Sequence, residues 1–492
     1  MLGLGFGLAV IVGSTLGIGI LRTPGLVAGQ LSTPSAILSV WIVGGLYTLL
    51  GAACFAELGT MLPEEGGYYV YARHAFGNGV GFAVGWTDWL CYCAVLGYVS
   101  IGFAEFTRVL LPSLSLSVTV VAVAVLVSLV ALQLAGVQVS SRFQQGATAV
   151  KFLAFLAVVV AAFAVRHPSH SSSSTASSAS VAGLVFALQA VVITYGGWQS
   201  ALYFSEEDRD PTANIPRSMM GGVAAVIVVY LLVNLALLSL LPSADLARST
   251  LPAADAARVL AGPRGQQIVT VLSLISLPPM LNAIVMIGAR IMFAMGRDGL
   301  LWKKTAAVGA GGTPTIATLI TTAVAVIGIV SGTFQRLVAI TAFFLALNYG
   351  ICCVALVVLR RREPHRARPF VAPGYPWSAY IVLSGAVALV VGTLVGDTVN
   401  GGLAIALLIA GLIGRMAFAR RSARRRSWAH PSTPPPAGAL APASRPRRSA
   451  RRRCCCGRGT RCTGSTCSLP QACSTRATWR LRLATPRARP SR

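Results

Sequence analysis

Acidic side chains are scarce in this 492-residue chain, with 14 Asp and Glu against 41 Lys and Arg, and charged residues of both signs make up only 11% of it. Hydrophobic residues make up 55%, and the mean hydropathy is +0.70. That much apolar surface cannot be hidden inside one soluble core, so the implied solvent is a lipid bilayer. Histidine is nearly absent: His74, His167, His170, His365 and His430 all fall in predicted loops or in the tail, which excludes an imidazole relay inside the membrane. Nucleophile and phosphate motifs are missing as well. The stretch GNGVGFAVG at 77–85 has the glycine spacing of a dinucleotide loop, but no strand precedes it and it opens an apolar helix. The chain therefore reads as a non-enzyme with no cofactor and no ATP-binding module, driven by a gradient or by exchange. Paired metal-ligand spacing is absent too. Of eleven cysteines, Cys54, Cys91, Cys93, Cys352 and Cys353 sit in or at the ends of apolar spans, where free Cys packs as a small hydrophobe. The other six lie after residue 419, and Cys454, Cys455 and Cys456 have no C-x-x-C partner or downstream His to complete a metal site.

Long apolar runs are abundant. Stretches of about 20 residues, enough to cross about 30 Å of hydrocarbon, occur near 2–28, 36–56, 80–104, 116–135, 147–165, 181–204, 219–241, 267–293, 314–332, 337–359, 379–396 and 400–419. The first is too long, and too quickly followed by a second, for a cleaved signal peptide. The expected fold is an all-α polytopic membrane protein with about twelve transmembrane helices. Placing the N-terminus inside puts fifteen Lys and Arg in cytoplasmic loops and helix ends and seven on the other side, which favours cytoplasmic termini over the inverted topology. The inner, or plasma, membrane is the expected location.

The net charge of +27 is concentrated at the end: nineteen of the basic residues and none of the acidic ones follow residue 419, leaving 22 against 14, or +8, over residues 1–419. Residues 1–419 are expected to form the transmembrane domain, and 420–492 a disordered tail rich in Arg, Pro and Cys. Attraction to anionic lipid is one role for that tail. Another reading is a misread frame of GC-rich coding sequence with no function, and a sensor or scaffold whose tail binds lipid or nucleic acid is the alternative of a different class. No nucleic-acid partner is expected, membrane lipids are, and nothing identifies an accessory subunit.

Two of the spans are weakened at their centres. IVGSTLGIGILRTPG at 11–25 carries Gly13, Gly17, Gly19 and Gly25, and VVITYGGWQSALYFSEE at 191–207 carries Gly196 and Gly197. Each glycine costs roughly 1 kcal/mol relative to Ala inside a helix, and unwound backbone at membrane depth survives only where it is buried or lines a cavity. Gly13 and Gly17 also form a G-x-x-x-G, a helix-packing motif. The two interruptions fall at matching positions of two five-helix repeats, about 1–166 and 181–360, which is the pattern of a transporter site. Exposed amides at a half-helix N-terminus suit a carboxylate and freed carbonyls suit a cation, so a zwitterionic amino acid satisfies both.

The chain resembles the amino acid, polyamine and organocation permeases, most closely the L-type amino acid transporter branch and its bacterial relatives. The resemblance spans about residues 5–419. It rests on GSTLGIGILRTPG, AELGTMLPEEGGYYVYARHAFG, TYGGW, EEDRDPTANIPRSM and RIMFAMGRDGLL, in that order. It implies two inverted five-helix repeats with broken helices 1 and 6, two peripheral helices at about 379–419, and an amino acid held between the breaks. It places the substrate carboxylate at the amides of Gly17, Ile18 and Gly19. The amino group would face carbonyls near Ser14 and Thr15 and around Ile193, Thr194 and Gly196. The L-type pattern often has a small polar residue at Ile18 and an aromatic gate at Ile193, and this chain departs from both. The resemblance also places Lys151, in GATAVKFLAFLAVV, where sodium sits in sodium-coupled relatives of the fold, and so implies sodium-independent transport; by position alone Lys151 would be an anchor at a cytoplasmic helix end. Proton-coupled uptake of amino acids or polyamines is the alternative.

Three further ionisable groups stand out. Asp88 is expected near the cytoplasmic end of span 3, solvated or coupling protons. Glu105 and Arg108 are expected to pair at i,i+3. Arg22 is expected to snorkel to the interface, with contact to an acidic substrate side chain as the other reading.

Overall fold

The computed structural model describes residues 3–113, 115–164, 180–249, 251–309 and 311–429; the Arg, Pro and Cys-rich tail expectation lies almost wholly outside them. Each of the twelve apolar runs is largely helical, with interruptions in 2–28 and 181–204, and no β-strand occurs among the described residues. In chain order the helices are α1 (Leu4–Thr15), α2 (Ile18–Gln30), α3 (Pro34–Met61), α4 (Tyr68–Phe76), α5 (Asn78–Leu110), α6 (Val118–Leu134), α7 (Val137–Ala164), α8 (Val181–Thr194), α9 (Pro211–Leu240), α10 (Ser243–Arg248), α11 (Pro252–Arg297), α12 (Thr315–Ser331), α13 (Phe334–Arg362), α14 (Trp377–Gly396) and α15 (Thr398–Ala429), with a 3-10 helix at Trp198–Glu207 between α8 and α9. Eight are long and apolar enough to cross a bilayer, and α1 with α2, bent by 45°, makes a ninth span. The chain is a multi-pass membrane protein. α6 and α12, at 17 residues each, are shorter than the roughly 20 residues a full crossing needs.

Local chemistry sets many of the boundaries. Thr33, Ser117, Ser180, Asp210 and Thr333 each cap the helix that follows by accepting an amide hydrogen bond, and Pro34 and Pro211 occupy first helical positions, where no N–H is needed. Two helices begin well before their apolar runs. α7 begins ten residues before its run, and α11 begins fifteen before, with a break at Ala261 and Gly262. Lys151 is consequently inside α7 rather than at its end.

α5 lies at the centre, packed against α11 and α13, while α3 packs on α9 and α1 on both α7 and α9. α14 and α15 attach outside this bundle through Tyr47 Oη donating to the Val382 carbonyl at 2.8 Å and Trp86 Nε1 donating to the Leu407 carbonyl at 3.0 Å. Gly385 and Gly411 supply the flat surfaces on which those two rings rest.

Two ionic clusters tie the helix ends on one face. Glu57, fully buried in α3, accepts from Arg360 and from the Ala372 amide at 2.8 Å, and Arg368 Nε lies 3.4 Å from it as a second ionic partner. Beside it, Arg290 is shared by Glu65 at 3.2 Å and Glu207 at 2.5 Å, Glu206 accepts from Arg297 at 2.8 Å, and Asp298 is paired with Arg73. Burial pushes the Glu65 carboxyl up to about 7, opposed by Arg290 and reinforced by Glu207 and Glu206.

Replacing Glu57 by Ala leaves two arginines facing each other without their carboxylate and should cost about 3 kcal/mol, read as a lower Tm of the detergent-purified protein. Glu65 gives a pH signature. Its folded value of about 7 lies above the ordinary 4.5, so the folded protein holds a proton that the unfolded chain has already lost. That stabilisation is complete below the unfolded value and vanishes as pH rises through about 7. Thermal stability should therefore fall between about pH 5 and about pH 8, and Glu65→Gln should flatten the profile.

Candidate substrate site between two helix breaks

α1 ends at Thr15 because Leu16 (φ −69, ψ 93) and Gly17 (φ −139, ψ −152) turn extended, and α2 restarts at Ile18 with no side-chain cap. In an unbroken helix the Gly13 carbonyl would accept from the amide four residues on. Here the last such bond of α1 is Leu16 N–H to Val12 O at 3.0 Å. The freed Gly13 carbonyl accepts instead from Lys151 Nζ at 3.0 Å, and Lys151 is 1% exposed. The second break follows Thr194. Gly197 adopts φ +117, left-handed backbone that favours glycine, and a Cβ there would lie 2.9 Å from the Ser14 carbonyl carbon and oxygen. The two breaks therefore touch.

Tyr230 of α9 joins them: its hydroxyl donates to the Thr15 carbonyl at 2.7 Å and lies 3.1 Å from the Thr194 carbonyl. The Ile193 carbonyl accepts from the Gly196 amide at 2.9 Å. Thr23 and Thr194 share a hydroxyl bond of 2.7 Å across α2 and α8. The Ser14 hydroxyl sits among the carbonyls of Val10 (2.6 Å) and Gly197 (3.0 Å) and the Ser200 hydroxyl (2.8 Å).

A cavity of about 420 Å³ opens over the breaks. Of the residues singled out from sequence, Thr15, Gly17, Gly19, Ile193, Thr194 and Gly196 line it. Ser14 is buried beneath it, Lys151 is behind α1, and the Ile18 side chain lies outside the described residues. Gly19 and Gly17 allow close approach, since a Cβ would meet Thr194 Cγ2 at 2.8 Å and Met280 Sδ at 2.4 Å respectively. Two polar features face the cavity unmatched: the uncapped first turn of α2, and Thr15 Oγ1, which is buried with no hydrogen-bond partner. The carbonyls of Thr15 and Ile193, by contrast, already have donors, and the Thr194 carbonyl shares the one Tyr230 proton with Thr15.

Other lining residues escaped the sequence reading, among them Tyr98, Met280, Phe334 and Asp397. A usable signal existed for Tyr230, a phenol in the otherwise apolar run VAAVIVVYLLV. Below the breaks, Phe55, Tyr68, Trp198 and Tyr349 pack with ring centroids 5.1 to 6.0 Å apart. Asp88 belongs to this layer. It is 1% exposed and accepts from Tyr203 Oη at 2.7 Å, so the solvated position expected from sequence is wrong; α5 passes through the middle of the bundle. The Glu105–Arg108 pair does not form either. Glu105 accepts from Arg22 at 2.8 Å, and Arg108 has no ion pair among the described residues. Arg22 lines the cavity.

The sequence matches a family model described as amino acid permease over residues 7–414. It is similar to the serine/threonine exchanger SteT of Bacillus subtilis, at 27% identity over 84% of this chain and 95% of that protein. It is also similar to the b(0,+)-type amino acid transporter 1 of Mus musculus, at 26% identity over 75% of this chain and 78% of the relative. A methylthioribose transporter of Bacillus subtilis is 26% identical over 74% of this chain and 82% of its own length. With the model covering most of its length, the chain belongs to the amino acid permease family.

Proposed function

We propose that the protein is a secondary transporter that moves amino acids by alternating access and without sodium, holding the zwitterion between the α1/α2 break and the break after α8. The observation that carries this reading is the pairing of the two breaks across one cavity, with uncapped amides on one side and the freed Gly13 carbonyl neutralised by Lys151. The positive end of α2 and its first-turn amides, Gly17 to Gly19, take the carboxylate. Thr15 Oγ1, and whichever carbonyls remain free around Ser14 and Gly196, take the ammonium. Lys151 does the work of a bound cation: a tethered ammonium satisfies the Gly13 carbonyl, so no dissolved ion is required.

The cavity reaches the loops at Phe334 and Asp397, on the face that the Lys and Arg distribution assigns to the outside. The opposite face is closed by the tyrosine layer and the Arg290 cluster, which suits a transporter open outward, in the plasma membrane, with cytoplasmic termini. The two repeats, 1–166 and 181–360, and the peripheral pair at 379–419 are the matching division of the chain.

Counterflow of labelled amino acids into proteoliposomes tests the proposal: exchange should proceed with no sodium on either side, and strict sodium dependence would overturn it. Lys151→Ala should abolish exchange while the protein still inserts in the membrane. Gly19→Val places branched carbons against Thr194 and should eliminate ligand-induced thermal stabilisation, whereas wild-type exchange by that variant contradicts the carboxylate site.

A further inference from the structure

Among the described residues, the cavity is lined by two charged side chains, Arg22 and Asp397. Asp397 is already engaged at the start of α15, where its carboxylate accepts the Asn400 amide at 3.1 Å and Asn400 Nδ2 at 2.6 Å. Arg22 is not fully engaged. Its Nη2 donates to Glu105 Oε2 at 2.8 Å, and its guanidinium carbon lies 4.8 Å from the Phe334 ring centroid and 5.9 Å from that of Phe106. Its Nε is buried and has no hydrogen-bond partner. A guanidinium carries five N–H donors in a rigid fork, so the one carboxylate contact leaves donors over.

The placement of the two partners is asymmetric. Glu105 does not line the substrate cavity. It lines a second cavity of about 320 Å³ together with Thr119, Thr333 and Gln335, and Arg22 and Phe334 line both cavities. Arg22 therefore borders the substrate cavity while its carboxylate partner lies on the neighbouring one. Along α2 it lies four residues beyond Ile18, a rise of about 6 Å, and helical side chains lean back toward their own N-terminus. Gly17, Gly19 and Arg22 line the same cavity, so Arg22 stands about one helical turn from a carboxylate held on the first turn of α2, a distance that a side chain the length of glutamate's can span.

We propose that Arg22 sets side-chain specificity, favouring amino acids that end in a carboxylate or carboxamide oxygen, with Glu105 acting as the internal competitor that positions the guanidinium when no such substrate is bound. This rests on the amino acid transport reading above.

Counterflow in proteoliposomes with labelled glutamate, glutamine and leucine tests it on the full chain. Arg22→Gln should raise the apparent KM for glutamate about tenfold, the loss expected for one charge-assisted contact, and leucine's less than about threefold. Glu105→Gln removes the competitor and should shift the glutamate-to-leucine preference the opposite way. A purely structural ion pair makes a different prediction: both variants change all three substrates by the same factor, and that result overturns the proposal. Should Arg22→Gln fail to reach the membrane, Arg22→Lys keeps the charge without the planar fork and should show an intermediate rise for glutamate. If the unmodified protein exchanges leucine and neither glutamate nor glutamine competes, the specificity inference falls while amino acid transport stands; if none of the three exchanges, both fall together.

Discussion

Everything in this protein follows from interrupting two helices where there is no water to repair the damage. Each break releases carbonyls that had intrahelical partners, and in a hydrocarbon environment each must find a new donor or destabilise the fold. Lys151 serves Gly13, one phenol of Tyr230 serves Thr15 and Thr194, and the Gly196 amide serves Ile193. Among the buried side-chain atoms left without a partner, Thr15 Oγ1 and Arg22 Nε belong to residues that border the cavity, as do Gly17 and Gly19 of the uncapped α2 start.

Closure of the opposite face depends on the same segments. Phe6 of α1 meets Phe204 of the 3-10 helix at 5.1 Å, and Arg290 stacks over Phe204 at 4.4 Å while holding Glu65 and Glu207. Tyr203, one residue before, holds Asp88. Movement of α1 against the 3-10 helix therefore has to break the aromatic contact, and movement of the 3-10 helix against α11 has to break the ionic cluster. A buried carboxylate with a single phenol donor, such as Asp88, is costly if charged, so it adds to the constraints on that movement.

Glycine works here by allowing contact rather than by loosening the chain. Gly17 and Gly19 admit Met280 and Thr194, and Gly197 admits the Ser14 carbonyl while taking a left-handed φ. Gly13, the first member of the G-x-x-x-G, faces Gln144 and Thr148 of α7. Packing and unwinding are thus both served by the same four-residue spacing, on the two sides of α1.

The sequence by itself determined the solvent, the helical class and the location of both breaks, because apolar run length and glycine within a run are local properties that lipid enforces directly. It also brought most of the cavity floor into view, since those residues adjoin the breaks in the chain. Tertiary structure alone decided the partners. By position alone Lys151 looked like an interfacial anchor, until residues 137–146 proved helical and set Lys151 well inside α7, where it is buried. Asp88 looked solvated until α5 took the central position, and Arg108 looked like the partner of Glu105 until α2 brought Arg22 closer. Charge pairs and freed carbonyls are satisfied across helices distant in sequence, such as α1 with α7, α2 with α5, and α8 with α9, and no local pattern encodes which helix will stand beside which.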